Sequence, residues 1–146
     1  MNMAKKEQSL KSFTDLNTWK KARKLRKNIS KLINKLPKDE RYRLKDQLLR
    51  ASRSVTANIA EGYGRFHYQE NIQFSRQARG SLYEILDHLI CAYDEKYINK
   101  DTLSELKDDV TECIRLLNGF ISYLGKTKQN KVSESEIEYD SKPNNQ

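Results

Sequence analysis

Five glycines and two prolines punctuate 146 residues, too few for the many tight turns of a β-sandwich or barrel. Two cysteines, Cys91 and Cys113, cannot build a disulfide framework or a thiolate zinc site. Both fall in apolar helical patterns and are expected as small core hydrophobes in a reducing compartment. His67 and His88 are the only histidines. His67 is expected exposed, and His88 with Cys91 at i, i+3 spacing lacks the third donor a metal site needs. No Ser-His-Asp or Cys-His constellation is legible, so no catalytic residue, metal or cofactor is expected. No apolar run approaches the roughly 20 residues of a membrane span. The opening "MNMAKKEQSLKSF" has lysines but no apolar h-region, so neither a signal peptide nor a membrane partner is expected. The chain reads as soluble and cytoplasmic.

What is present is helical periodicity. Leu16, Trp19, Ala22, Leu25, Ile29, Leu32, Ile33 and Leu36 share one face of a first helix that Pro37 stops. A second helix is predicted over about 39–62, with Leu44, Leu48, Ala51, Val55 and Ile59 in steps of four and three. A third, over about 68–95, carries Tyr68, Ile72, Leu82, Leu86, Leu89 and Tyr93. A fourth, over about 102–124, carries Leu103, Leu106, Val110, Cys113, Ile114, Leu117, Ile121 and Leu124, with Gly125 as its stop. No stretch alternates with period two over a strand's length. The expected fold is all-α: an antiparallel up-down four-helix bundle over 15–125, homo-oligomeric, between a disordered segment at 1–14 and a disordered acidic tail at 126–146.

The stretch "NIAEGYGR", Asn58 to Arg65, suggests a phosphate loop at first sight. It follows no strand, lacks the third glycine of G-x-G-x-x-G, and has no Lys-Ser or Lys-Thr after it. A helix stop explains it better: Gly62 in the left-handed C′ position, Gly64 supporting the reversal, Tyr63 and Phe66 capping the core. Beside the apolar ladder of the second helix runs a polar one, Gln47, Arg50, Ser54, Asn58 and Glu61. It is either a solvated flank or a seam satisfied against another helix or subunit. The third helix shows a second face, Phe74, Ala78, Ser81, Ile85 and Ala92, wider than a surface helix needs. Gly80 sits mid-helix at a cost of about 1 kcal/mol against Ala. Both point to self-association.

Charge is the clearest functional signal. The net charge is +8, and no Asp or Glu occurs from Leu16 to Lys38. Lys20, Lys24, Lys27, Lys31 and Lys35 form a stripe opposite the apolar face, flanked by Lys21 and Arg23. Like charges four apart destabilise a helix by about 0.2–0.5 kcal/mol per pair, and a plain solvated face would interleave glutamates. The stripe therefore reads as a phosphate-contacting surface for RNA or DNA, with a solubility face as the alternative. Arg43, Arg50 and Arg53 of the second helix join it as candidate contacts.

The run "LPKDERYRLKDQLLRASRSVTANIAEGYGR" followed by "FSRQARGSLYEI" resembles the four-helix-bundle proteins encoded in intervening sequences of 23S ribosomal RNA genes, also called S23 ribosomal proteins. The matching positions are Pro37, Glu40, Arg41, Gln47, Arg50, Ser54 and Val55, then Asn58, Ile59, Ala60, Glu61, Gly62, Gly64 and Arg65. Ala78, Arg79, Gly80, Ser81 and Glu84 complete the pattern, and "DLNTWKKA" also fits. Thr56 stands where that family often has Pro, which should straighten the second helix. Arg43 replaces a common Gly, which should make the start of that helix more regular and more basic. The resemblance implies a bundle that assembles as a homopentamer, without known catalytic activity. A related branch, the accessory variability proteins of diversity-generating retroelements, binds a reverse transcriptase and nucleic acid. An adaptor for a reverse transcriptase and a purely structural oligomer are thus the alternative roles.

Overall fold

The computed structural model describes residues 12–140, with side chains to residue 128. The expectation for the first eleven residues, like that for 141–146, lies outside the described residues. Four α-helices follow a short 3-10 turn at Phe13–Asp15: α1 Asn17–Ile33, α2 Leu44–Gly64, α3 Tyr68–Asp94 and α4 Lys100–Asp140. α1 packs on α2 and α4, and α3 packs on the same two helices. Among the described residues the diagonal pairs do not touch. That is a four-helix bundle with each helix beside its chain neighbour.

The apolar ladders fill the interior as their spacing dictates. Leu25, Ile29, Leu48, Val55, Ile59, Leu82, Leu89, Val110 and Leu117 are all buried in one continuous core. Each such side chain contributes about 1.5–3 kcal/mol on burial. Helix ends have local causes. Asn99 Oδ1 accepts from the Thr102 amide at 2.8 Å and caps α4. Lys96, at φ 63, ends α3, with the Tyr97 amide on the Ala92 carbonyl and the Lys96 amide on that of Tyr93, the pairing of a Schellman stop. The α2 N-terminus is held by Glu40, a nearly buried carboxylate. It accepts from the Leu44 amide at 3.3 Å and the Tyr97 hydroxyl at 3.0 Å, and pairs with Arg43 at 3.0 Å.

Several sequence expectations are corrected. α1 ends at Ile33 rather than at Pro37. Lys38–Glu40 form a 3-10 turn, so α2 starts at Leu44 and the chain around Arg43 is not regular helix. At Thr56, by contrast, α2 runs unbroken, in line with the expectation, and the Thr56 hydroxyl donates to the Arg53 carbonyl and accepts from Arg26 at 2.7 Å. α4 passes through Gly125 and is helical to Asp140, the last described residue. The second face of α3 is interior to this chain: Ala78, Ile85 and Ala92 are buried between α2 and α4. Tyr93 of the expected main face is instead exposed. Cys91 is exposed as well, because the α3 core ladder steps Leu89 to Ala92 past it.

Cys113 is buried, and that burial pushes its thiol from 9.0 up to about 11, because a thiolate inside the core would lose its hydration. The folded state therefore holds the proton more tightly than the unfolded state. The associated stability is complete below pH 9 and is lost as pH rises through 11. On the order of 2 kcal/mol should disappear across that window. Thermal melts of Cys113→Ala should show a smaller alkaline loss than wild type; parallel losses would mean that the thiol is not shielded.

Candidate nucleic-acid interface

Two sets of residues were singled out by the sequence, and they have different fates. The "NIAEGYGR" set is a joint between α2 and α3. Ile59 and Gly62 face inward and are buried. The Asn58 amide donates to the Ser54 carbonyl at 2.9 Å and to its hydroxyl at 3.0 Å, and the Ser81 hydroxyl donates to Ser54 Oγ at 2.9 Å. The polar ladder is therefore satisfied at Ser54 and Asn58, where Ser81 of α3 meets it, and solvated at Gln47, Arg50 and Glu61. Glu61 pairs with Arg65 at 3.1 Å, and the Arg65 guanidinium lies 5.3 Å from the Phe74 ring centre. Arg79 ties α3 to α4 through Asn118 at 2.8 Å, and Glu84 contacts His88 at 3.3 Å.

No glycine in the described chain has positive φ. Gly62 is helical, and its role is close approach: a Cβ there would lie 2.7 Å from Asn71 Oδ1 and 2.9 Å from Phe74 Cβ. The left-handed residue in the α2–α3 reversal is Phe66, at φ 58, with its ring 87% exposed rather than capping the core. Only Tyr63 of that pair packs on the core. Among the described residues Gly64 and Gly80 both look onto open space, so no described backbone approaches Gly80.

The lysine set keeps its promise of exposure. Lys20, Arg23, Lys24, Lys27, Lys31 and Lys35 are all exposed, and successive members of the row on α1 rise by roughly 4.5–6 Å. Lys35 lies past the end of the helix. The row is not uniformly free of acids. Lys31 and Lys35 line a groove of about 250 Å³ that also holds Glu105 and Asp109 of α4. Glu112 of α4 is held below the usual carboxylate range, chiefly by its hydrogen bond to Arg115, with Lys21 adding to the effect. These acids were invisible in the α1 sequence because they arrive from the fourth helix. Lys20, Arg23, Lys24 and Lys27 form the basic patch that remains. Arg23 also stacks over Trp19 at 5.6 Å. Of the α2 candidates, Arg50 pairs with Asp46 at 3.1 Å and Arg43 with Glu40, while Arg53 is exposed. Arg50 is thus paired within α2, and Arg43 with the turn that precedes it.

Sequence reasoning overlooked a groove between the start of α1 and α4. One part, about 370 Å³, is lined by Asp15, Leu16, Asn17, Thr18, Leu116, Phe120 and Tyr123. The next, about 380 Å³, is lined by Lys20, Lys21 and Lys24 and shares Asn17 and Leu116 with the first. Thr18 Oγ1 is buried there without a hydrogen-bond partner among the described residues. The signal for it was Phe120 and Tyr123 at i, i+3 on α4, beside the core ladder. Among the described residues no three His, Cys, Asp or Glu side chains cluster as metal ligands. No helix among them is long and apolar enough to cross a membrane.

Three comparisons bear on this geometry. A sequence model of a family described as "23S rRNA-intervening sequence protein" matches residues 14–119. A crystal structure of a protein with unknown function from the S23 ribosomal protein family of Bacteroides thetaiotaomicron VPI-5482 superposes with a TM-score of 0.67 at 23% identity, covering 71% of this chain and 97% of that one. At that identity the likeness speaks to the fold. The comparison with curated proteins gives no match.

Proposed function

The chain belongs to the 23S rRNA-intervening sequence protein family, and from that premise we propose that it is a non-enzymatic bundle that binds nucleic acid through phosphate contacts and assembles with copies of itself. One observation carries the binding: a row of exposed lysines and arginine on α1, on a helix without a single carboxylate. Holding like charges this close opposes folding, and a polyanion relieves the repulsion. Lysines at helical spacing give point charges to phosphates and no base reading. Binding is therefore governed by the backbone of the nucleic acid rather than its sequence.

Self-association is supported by the outer face of α3, where Gly80 opens the surface and Tyr83 and Ile90 expose apolar area. The pentameric stoichiometry comes from the family resemblance. Light scattering is expected to give about five times the 17.2 kDa chain mass, and a strictly monomeric species would remove the assembly. For binding, log K against log salt is expected to fall by about 0.7 to 0.9 per phosphate neutralised. An affinity independent of salt would end the phosphate reading.

A further inference from the structure

The α1/α4 groove changes character over a short distance. Its outer part is apolar and aromatic, built by Leu116, Phe120 and a Tyr123 that is 62% exposed. Its inner part is basic, with Lys20, Lys21 and Lys24, and the two parts meet at Asn17 and Leu116. An aromatic platform beside a row of cations suits an unpaired base and its phosphates, since every base has a π-face and every link carries a charge. A base pair inside a duplex presents no free face to such a platform.

Resting on the nucleic-acid reading above, we propose that this groove seats one unpaired nucleobase of a single strand against Tyr123 and Phe120, with the flanking phosphates on Lys20, Lys21 and Lys24. Charge selects this occupant. Three lysines side by side oppose a second copy of a chain whose net charge is +8, whereas a polyanion complements them. The unmet Thr18 hydroxyl beside the pocket favours an occupant with polar edges over a purely aliphatic one.

The test measures fluorescence anisotropy with a labelled oligoadenylate strand and with the same strand annealed to oligouridylate, for wild type, Tyr123→Ala and Tyr123→Phe. Wild type is expected to prefer the single strand. Tyr123→Ala should lose on the order of five- to a hundredfold on the single strand, with duplex affinity and oligomer mass unchanged, and Tyr123→Phe should retain the preference. Unchanged single-strand affinity in Tyr123→Ala overturns the base pocket while leaving the phosphate reading intact. A changed oligomer mass makes the groove a contact between copies and overturns it too. Wild type binding neither strand form removes the nucleic-acid reading itself.

Discussion

Replacing Lys20, Lys24, Lys27 and Lys31 together with Gln is expected to cut nucleic-acid affinity roughly a thousandfold at 0.1 M salt and to flatten the salt slope by about 3. Four phosphate contacts at 0.7 to 0.9 counterions each give that figure. All four side chains are exposed on the face opposite the Ile29 ladder, so their removal takes nothing from the core. Losing i, i+4 repulsions between Lys20 and Lys24, and between Lys27 and Lys31, should stabilise α1 by a few tenths of a kcal/mol. Weakening should be equal across unrelated sequences, because these contacts read no bases. Oligomer mass is the internal control. Lys31 shares its groove with Glu105 and Asp109, so a Lys31→Gln single variant should cost less than Lys24→Gln. A quadruple variant with wild-type affinity and slope would make the row a solubility face, and an adaptor role for a polymerase partner would take its place.

The second large effect concerns Gly62, where Val is expected to destabilise the bundle by about 2–3 kcal/mol and Ala by about 1–2 kcal/mol. A methyl group at this site meets Asn71 Oδ1, the end of a side chain that can turn, and Phe74 Cβ, which moves only with α3 itself. The whole α2–α3 contact must therefore open by a few tenths of an ångström. Ala regains about 1 kcal/mol of helix propensity relative to Gly, which is why its net cost is the smaller. The contrast is Gly119, also helical but facing open space. There Ala should stabilise by up to about 1 kcal/mol. Urea melts of the three variants decide the matter. If Gly62→Ala and Gly119→Ala both stabilise, the helices do not approach closely at Gly62.

The interior was legible in the sequence wherever one narrow apolar stripe serves both neighbours of a helix. The α1 ladder from Ala22 to Leu36, the α2 ladder from Leu44 to Ile59 and the α4 ladder through Leu117 are buried as their spacing predicts. α3 was misread because its contacts with α2 and α4 are the two most extensive in the bundle, and together they bury an arc wider than one stripe. Two intramolecular faces look, on a helical wheel, like one core face plus one for a second copy. Gly62 was misread for a different reason. A glycine at a helix end is conformationally ambiguous, and only the position of Phe74 shows that space rather than φ is limiting. The acids opposite Lys31 and Lys35 belong to a residue separation that no window along the chain spans. The same holds for the groove made by Asn17 with Leu116.

The order in which the helices touch also sets a timetable. α2 and α3 share the most extensive interface and are joined by only Arg65, Phe66 and His67, while α1 and α4, at the ends of the bundle in sequence, share the least extensive one. Closing a short loop is entropically cheap and a long one is not. The α2–α3 hairpin is therefore placed to form first and the α1/α4 seam to close last. The helix that bears the crowded positive charge is thus the one whose docking is most easily undone. A polyanion bridging that seam would slow its opening, so the surface proposed for binding is also where a ligand can lengthen the lifetime of the folded chain.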